Sequence, residues 1–117
     1  MTVVLAEDAE GRFLLQQRPG KGLLAGLWQP LLWEGEALSA GEVLARLEEL
    51  GLGCAGAEAL PAAKHIFSHI EWRMKGYAVR VGTVYAPVGC VWASREQMQD
   101  EYTLPGAFKA YKKRMGL

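Results

Sequence analysis

The sequence predicts an α+β domain in which a mixed β-sheet is flanked by helices. Three observations predict it. Apolar, β-branched runs bounded by turn residues recur in both halves of the chain, one central segment switches to an apolar period of three to four residues, and the C-terminal end carries helix-start signals. The chain has 117 residues, half of them hydrophobic, so residues 1–117 read as a single domain with a core able to support independent folding.

The elements follow in order. Thr2 to Ala6 is apolar and β-branched, Asp8 to Gly11 carries turn chemistry, and Phe13 to Gln16 resumes the apolar run, which together read as a hairpin. Arg18 to Gly26, RPGKGLLAG, reads as an irregular loop because of its glycines and proline. A glycine-rich loop bearing a lysine can cradle phosphate, but this one lacks the spacing and the following Ser/Thr of a nucleotide-binding P-loop. Leu27 to Trp33 is apolar again, and Pro30 marks it as an edge or bulged strand. From Ser39 the period becomes helical, with Val43, Leu44, Leu47 and Leu50 on one face, Glu42 placed for a capping box, and Gly51 and Gly53 as terminators. Glu42 and Arg46 stand at the favourable i, i+4 spacing, and Glu48 and Glu49 read as a solvated face. After a loop rich in Ala and Gly, Lys64 to Met74 and Tyr77 to Tyr85 read as two strands turned at Lys75 and Gly76. Trp92 lies in a last short strand. Arg95 to Asp100 and Pro105 to Arg114 are candidate helices, the latter with proline in its first turn.

Charge and cysteine usage narrow the function classes. The 13 basic and 13 acidic side chains cancel, so nucleic-acid binding would have to come from a local patch or a partner domain. No apolar run approaches a membrane span, and the start MTVVLAED has no basic n-region or long apolar stretch, so the chain reads as soluble, intracellular and cytoplasmic. Cys54 and Cys90 have no CxxC spacing and read as two reduced thiols, not metal ligands.

The stretch AKHIFSHIEW, residues 63–72, carries the most chemistry. As a continuous strand it would place Ile66, Ser68, Ile70 and Trp72 on one face and His65, Phe67, His69 and Glu71 on the other. Neither face is clean, which suggests that the backbone bends or loops near Phe67 to His69. An aromatic, a small hydroxyl and an imidazole side by side suit stacking on a base, hydrogen-bonding a base edge and meeting a phosphate. A strand end with a locally satisfied serine accounts for the same three residues. Lys64, His65, Arg73 and Lys75 add a locally basic surface, and Lys109, Lys112, Lys113 and Arg114 form a second basic cluster that reads equally as a solvated helix end. Trp28, Trp33 and Trp92 read as core or rim.

Taken together, LLQQRPGKGLLAGLWQP, the acidic helix, AAKHIFSHIEWRM and the closing LPGAFKAYKKRM resemble, in order and spacing, the C-terminal domain of MutY-type adenine DNA glycosylases. The resemblance covers nearly the whole chain and implies a Nudix-like, MutT-like fold. The Nudix pattern places clustered carboxylates on one helix to hold divalent cations that activate water. With Gly51 and Leu52 set on its final GU, Glu48 and Glu49 fall on the EE pair and Glu36 on the first glutamate. The remaining positions fail: Pro30 stands for the glycine, Leu44 for the arginine, Ala45 for the leading glutamate and Arg46 for the aliphatic residue. No catalytic residue and no metal ligand are therefore expected in this chain.

The resemblance implies a reading role. In MutY-type enzymes a helical N-terminal domain with a [4Fe–4S] cluster excises adenine, while the C-terminal domain contacts the 8-oxoguanine opposite. No cofactor is expected in this domain. The implied partners are double-stranded DNA carrying an 8-oxoguanine:adenine pair and the N-terminal catalytic domain of the same protein, with no membrane. Oxidation turns guanine N7 from acceptor to N–H donor and adds a carbonyl at C8, and a serine hydroxyl can both accept and donate. The resemblance thus implies Ser68 as the lesion reader, with Phe67 packing or wedging against the duplex, His69 as a phosphate or loop-ordering contact, and Lys64 and His65 beside them. Phe67 as a core residue remains open. Two other classes stay open: a small Nudix-type nucleotide pyrophosphohydrolase acting on oxidised nucleotides through Glu36, Glu48 and Glu49, and a protein-interaction module.

Overall fold

A computed structural model describes residues 1–82 and 85–117. Six strands form one mixed sheet: β1 Thr2–Glu7, β2 Phe13–Gln17, β3 Trp28–Trp33, β4 Ala57–Phe67, β5 Ile70–Arg80 and β6 Cys90–Ala93, in the spatial order β4-β5-β1-β3-β2-β6. β1 runs parallel to β5 and antiparallel to β3, and the other neighbouring strands pair antiparallel. Alternate residues point to opposite faces, so each face collects its own core. Val4, Ala6, Leu14, Leu31, Tyr77 and Val79 meet Val43 and Leu47 of helix α1, Ala40–Glu49. Val3, Leu5, Leu15, Leu32, Trp72 and Met74 meet Met98 of α2, Arg95–Asp100, together with Ala107, Phe108 and Tyr111. The last two belong to a 3₁₀ turn, Gly106–Phe108, and a short α3, Lys109–Lys112. The outcome is a sheet covered by helices on both sides, as expected.

Several expectations needed correction. The first two strands do follow one another through a tight turn, but they pair only at Glu7 and Phe13, and β3 enters between them. That makes β3 central, not an edge. Pro30 is tolerated there because β3 changes partner at this point: residues 28–30 pair with β2 and residues 31–33 with β1, so proline sits where one ladder hands over to the other. The Ala/Gly segment expected to be a loop is strand from Ala57 onward, with a register shift between Leu60 and Ala63 around Pro61 that blunts the β4 edge. Lys75 and Gly76 are not a turn. They lie inside β5, where Lys75 and Gly76 align with Thr2 and Val3, and the reversal falls instead at Ser68 and His69. The expected strand Tyr77 to Tyr85 ends at Arg80, and its Thr83 and Val84 lie outside the described residues. The helix expected from Pro105 to Arg114 divides into the 3₁₀ turn and α3.

Gly76 has a packing reason to be glycine. A Cβ there would sit 2.6 Å from Tyr111 Cε1 and 2.9 Å from its hydroxyl, so the α3 ring rests on bare β5 backbone. The Tyr111 hydroxyl is buried without a hydrogen-bond partner among the described residues, and burial raises its pKa. Elsewhere buried polar groups are served. Thr2 Oγ1 donates to Glu36 O at 2.7 Å and accepts from Leu38 N at 2.9 Å, and Tyr77 donates to Leu38 O at 2.8 Å, which ties the segment before α1 to the sheet. In the β1–β2 turn, burial pushes the Asp8 carboxyl up. The backbone N–H groups of Arg12 and Glu10 and the Arg12 guanidinium at 2.7 Å outweigh that and hold it below its ordinary 3.8.

Two outcomes follow for equilibrium urea unfolding. Gly76→Ala should cost about 1–3 kcal/mol by overpacking, whereas Tyr111→Phe should be neutral or gain about 1 kcal/mol because it deletes an unsatisfied hydroxyl. Because the folded-state pKa of Asp8 is depressed, its contribution is present above the ordinary value of 3.8 and disappears as pH falls through the lower folded value. Asp8→Ala should therefore cost about 2 kcal/mol at neutral pH, and unfolding curves of variant and parent should converge as the solution is acidified.

Candidate functional site

The segment singled out in the sequence forms the end of a long hairpin. Phe67 of β4 faces Ile70 of β5, His65 faces Trp72, Lys64 faces Arg73, and Ser68 and His69 are the two turn residues. A two-residue hairpin turn needs positive φ, and Ser68 adopts φ 22°, a region uncommon for a non-glycine residue. Both turn side chains are exposed. Such strain at an exposed polar residue is a pointer to function.

The reversal redistributes the expected faces. Directly opposed residues in an antiparallel pair share a side, so His65, Phe67, Ile70 and Trp72 lie together, whereas Ile66 lies with Glu71, Lys64 and Arg73. A continuous strand would have kept Phe67 away from Trp72. The Phe67 ring instead stands edge-on to Trp72 with centroids 5.0 Å apart, and His65 stands edge-on to Phe67 at 4.5 Å. Phe67 is half-buried against the C-terminal core, so the packing account of this residue holds for its inner side. Trp72 is buried and continues the chain of rings to Phe108 at 5.9 Å.

A cleft of about 660 Å³ opens beside this hairpin, and its lining includes Gln16, Arg18, Lys21, Gln29, Ile70 and Trp72. Arg18 organises it. Its guanidinium lies 5.2 Å from the Trp72 ring centre and donates to Gln29 Oε1 at 2.7 Å, Glu34 Oε1 at 3.0 Å and Leu23 O at 3.0 Å. Gln29, buried in β3, donates in turn to Gln16 Oε1 at 3.3 Å. The glycine-rich loop is pinned at this corner: Gly26 N donates to Pro19 O, Leu27 N to Leu24 O and Gln17 Nε2 to Gly26 O. Those amides are therefore spent on the loop itself and cannot cradle a phosphate. Sequence reasoning does not single out Arg18, Gln29 or Trp72. The available signal was the polar run Gln16-Gln17-Arg18 closing an apolar strand, with Gln29 interrupting the next.

The basic surface divides. Lys64, Arg73 and Lys75 share one face of the hairpin, and His65 lies on the other. Glu71 stands among the cations, 3.1 Å from Arg73 Nε and 3.8 Å from Lys64 Nζ. In the C-terminal cluster Arg114 is held by both oxygens of Glu58 at 2.8 and 2.9 Å.

The helix that carries the partial Nudix pattern is built as expected at its start, with a reciprocal Ser39–Glu42 capping box. Its arginine is not. Glu42 serves the cap, and Arg46 reaches back to Glu36, with Nη1 and Nη2 at 3.1 and 2.7 Å from the two carboxylate oxygens. These hydrogen bonds hold Glu36 below the usual carboxylate range. Glu48 and Glu49 are exposed, and among the described residues no group of three or more His, Cys, Asp or Glu is placed to hold a metal ion. A divalent-cation site of the Nudix kind does not fit this donor set: the first glutamate is already bonded to an arginine, and Ala45 replaces a further carboxylate. Cys54 and Cys90 are free, and burial raises the pKa of both thiols, which favours the protonated form. Trp28 packs edge-on to Tyr102, Trp33 lies under Arg46, and Trp92 donates to Tyr85 O, consistent with core or rim positions.

Mixed sheet, two helical layers and an acidic helix together define the class. The chain belongs to the NUDIX domain family, whose profile matches residues 2–114. Among solved structures it is similar to the C-terminal domain of mouse MUTYH in a complex with human PCNA, with 26% identity, a TM-score of 0.71, and coverage of 98% of this chain and 84% of that one. It shares its fold with the MutT protein of Methanosarcina mazei Go1, at 21% identity and TM-score 0.64 over 98% of this chain and 90% of that one. It also shares it with the Nudix hydrolase RenU of M. smegmatis, at 15% identity and TM-score 0.58 over 98% and 84%. No helix among the described residues is long and apolar enough to cross a membrane.

The ring stack gives a stability prediction. Trp72→Ala should cost about 3–5 kcal/mol in urea unfolding, the scale for deleting a buried large aromatic. His65→Ala, which removes only the outermost ring, should cost under about 1 kcal/mol.

Proposed function

We propose that this domain reads 8-oxoguanine opposite adenine for an adenine DNA glycosylase of the MutY type, in base excision repair. The observation that carries the reading is the hairpin tip: Ser68 is exposed at positive φ on a two-residue turn, directly after a Phe67 fixed by His65 and Trp72. A hydroxyl on so short a turn is held at a defined height above a rigid aromatic base. Ser68 accepts from the N7–H that only the oxidised base has and donates toward its C8 carbonyl. Phe67 supplies a buttress, and its exposed edge meets the neighbouring base. His69 and Lys64 meet phosphates. His65 acts from the other face of the hairpin, steadying Phe67. The similarity to the C-terminal domain of mouse MUTYH supports this assignment.

Adenine excision itself belongs, in this reading, to a helical domain joined to this one and carrying a [4Fe–4S] cluster. Cys54 and Cys90 do not supply the four thiolates such a cluster takes. The partner in the mouse complex, PCNA, suggests a replication clamp as a further partner. The alternative, hydrolysis of oxidised nucleotides, draws on the MutT-like fold and the cleft at Arg18. It is disfavoured by the bidentate Arg46–Glu36 pair, which removes the first carboxylate from duty as a metal ligand.

Ser68→Ala should reduce the preference for 8-oxoguanine:adenine over guanine:adenine duplexes by about 5-fold or more, corresponding to roughly 1 kcal/mol for a hydrogen bond lost from a buried partner. Competition binding to matched duplexes, with the domain joined to its glycosylase, measures it. Equal loss on both duplexes would sink the assignment, and magnesium-dependent turnover of 8-oxo-dGTP by this chain would favour the hydrolase reading.

A further inference from the structure

Most arginines whose ion pairs are seen in this neutral chain are committed to carboxylates of their own. Arg12 is held by Asp8 and Glu10, Arg46 by both oxygens of Glu36, and Arg114 by both oxygens of Glu58. One face of the β4–β5 hairpin departs from this balance. Lys64 and Arg73 are direct cross-strand partners, and Lys75 is two residues further on the same face. Lys75 Nζ lies 5.6 Å from the Tyr77 ring centre, against an aromatic surface. Among the described residues Glu71 is the carboxylate seen paired with these cations, and it spans the two strands to meet both Arg73 and Lys64. The cations stand prouder than the carboxylate: the Arg73 and Lys64 side chains are 83% and 67% exposed and that of Glu71 is 35% exposed.

The geometry points to this face as the track for the phosphates of one DNA strand, with Glu71 as its restraint. The inference rests on the duplex-reading role proposed above and names the part of the surface that supplies affinity without sequence or lesion preference. Rows two residues apart on a strand lie about 6.8 Å apart, commensurate with the axial rise of two phosphates of one DNA strand, about 3.4 Å each. The row begins at Arg73 and Lys64, two cross-strand pairs behind Ile66 and Glu71 on the same face, and so on the arm that leads to the turn carrying Ser68. A strand whose lesion lies at the tip is thereby carried back along the arm. A concavity of about 510 Å³, lined in part by Lys64, Arg73, Lys75 and the small side chains of Ala62 and Ala63, leaves room for a backbone to approach. Glu71 keeps the cations from binding any DNA tightly. It lowers the net charge of the face and must release Arg73 when a phosphate arrives. The C-terminal lysines lie on the α3 side of the sheet, whereas Lys75 lies on the side of Tyr77 and α1, so the two basic clusters are separable.

The test is fluorescence anisotropy of the 117-residue chain with 8-oxoguanine:adenine and guanine:adenine duplexes across a salt series. Lys64→Gln and Arg73→Gln should each flatten the dependence of log K on log[salt] by about 1 for both duplexes alike, with the lesion preference retained. Glu71→Gln should raise affinity for both duplexes several-fold and narrow the lesion preference. Ser68→Ala should leave the slope unchanged. The track is overturned if the Lys64→Gln/Arg73→Gln double variant keeps the parent slope, or if Lys109→Gln/Lys112→Gln flattens it instead. A parent chain that binds both duplexes equally, with a slope that falls in the double variant, would refute the reading at Ser68 and leave the track standing. A parent chain with no salt-dependent binding would refute both. The replaced side chains are mostly exposed, so thermal unfolding at the parent temperature verifies that folding is intact.

Discussion

The indole of Trp72 is the contact on which the candidate site depends. On one side it packs toward Phe108 of the C-terminal layer, on another it receives the guanidinium of Arg18, and along the arm it meets the edge of Phe67. A buried ring of this size couples elements that backbone hydrogen bonds do not join, because β5 runs alongside β1 only from Lys75 onward. Sheet pairing fixes the root of the hairpin, and Trp72 fixes its direction. Arg18 adds a polar tie, since its hydrogen bonds to Gln29, Glu34 and the Leu23 carbonyl bring the glycine-rich loop to the same corner. Loop, cleft and tip thus share one anchor.

The acidic helix keeps the family's place in the scaffold while one carboxylate of the pattern is engaged by an arginine. Its cap, its buried Val43 and Leu47 and its place against the sheet are those of a well-formed structural helix. The carboxylate on the first glutamate of the pattern, Glu36, is satisfied internally, by an arginine at the position where the pattern has an aliphatic residue. An arginine–carboxylate pair with two parallel hydrogen bonds is self-sufficient. The helix therefore contributes a layer of the core and a salt bridge over Trp33.

Much of the fold was legible in the sequence because its signals were local. Ser39 with Glu42, the β-branched run of β1 and the apolar run of β2 each announce an element within a few residues. What failed was long-range. The insertion of β3 between β1 and β2 is a matter of topology, and Pro30 looked like an edge residue because its ladder handover depends on two partners distant in sequence. Gly76 read as a turn because glycine is ambiguous, and its true cause is a tyrosine ring arriving from α3. The irregular pattern around Phe67 to His69 did reveal a bend, but competing turn chemistry at Lys75 and Gly76 drew the reversal away from it. At the candidate site, the bend at the triplet was legible from residue type, whereas the contacts of Arg18 and Trp72 span the sheet.

The brevity of the tip has a consequence for how this surface can vary. With only Ser68 and His69 between the strands, Phe67 and Ile70 are locked in register, and the arm sorts its side chains into a ring-bearing side and a charge-bearing side. Adding or deleting one residue in β5 between the turn and Trp72 would exchange the sides, swinging the indole into solvent and pressing Arg73 toward the core. The length of this turn is therefore bound to the integrity of the hydrophobic interior. Side chains at the tip are free to diversify, while its spacing is held fixed by a ring buried in the core.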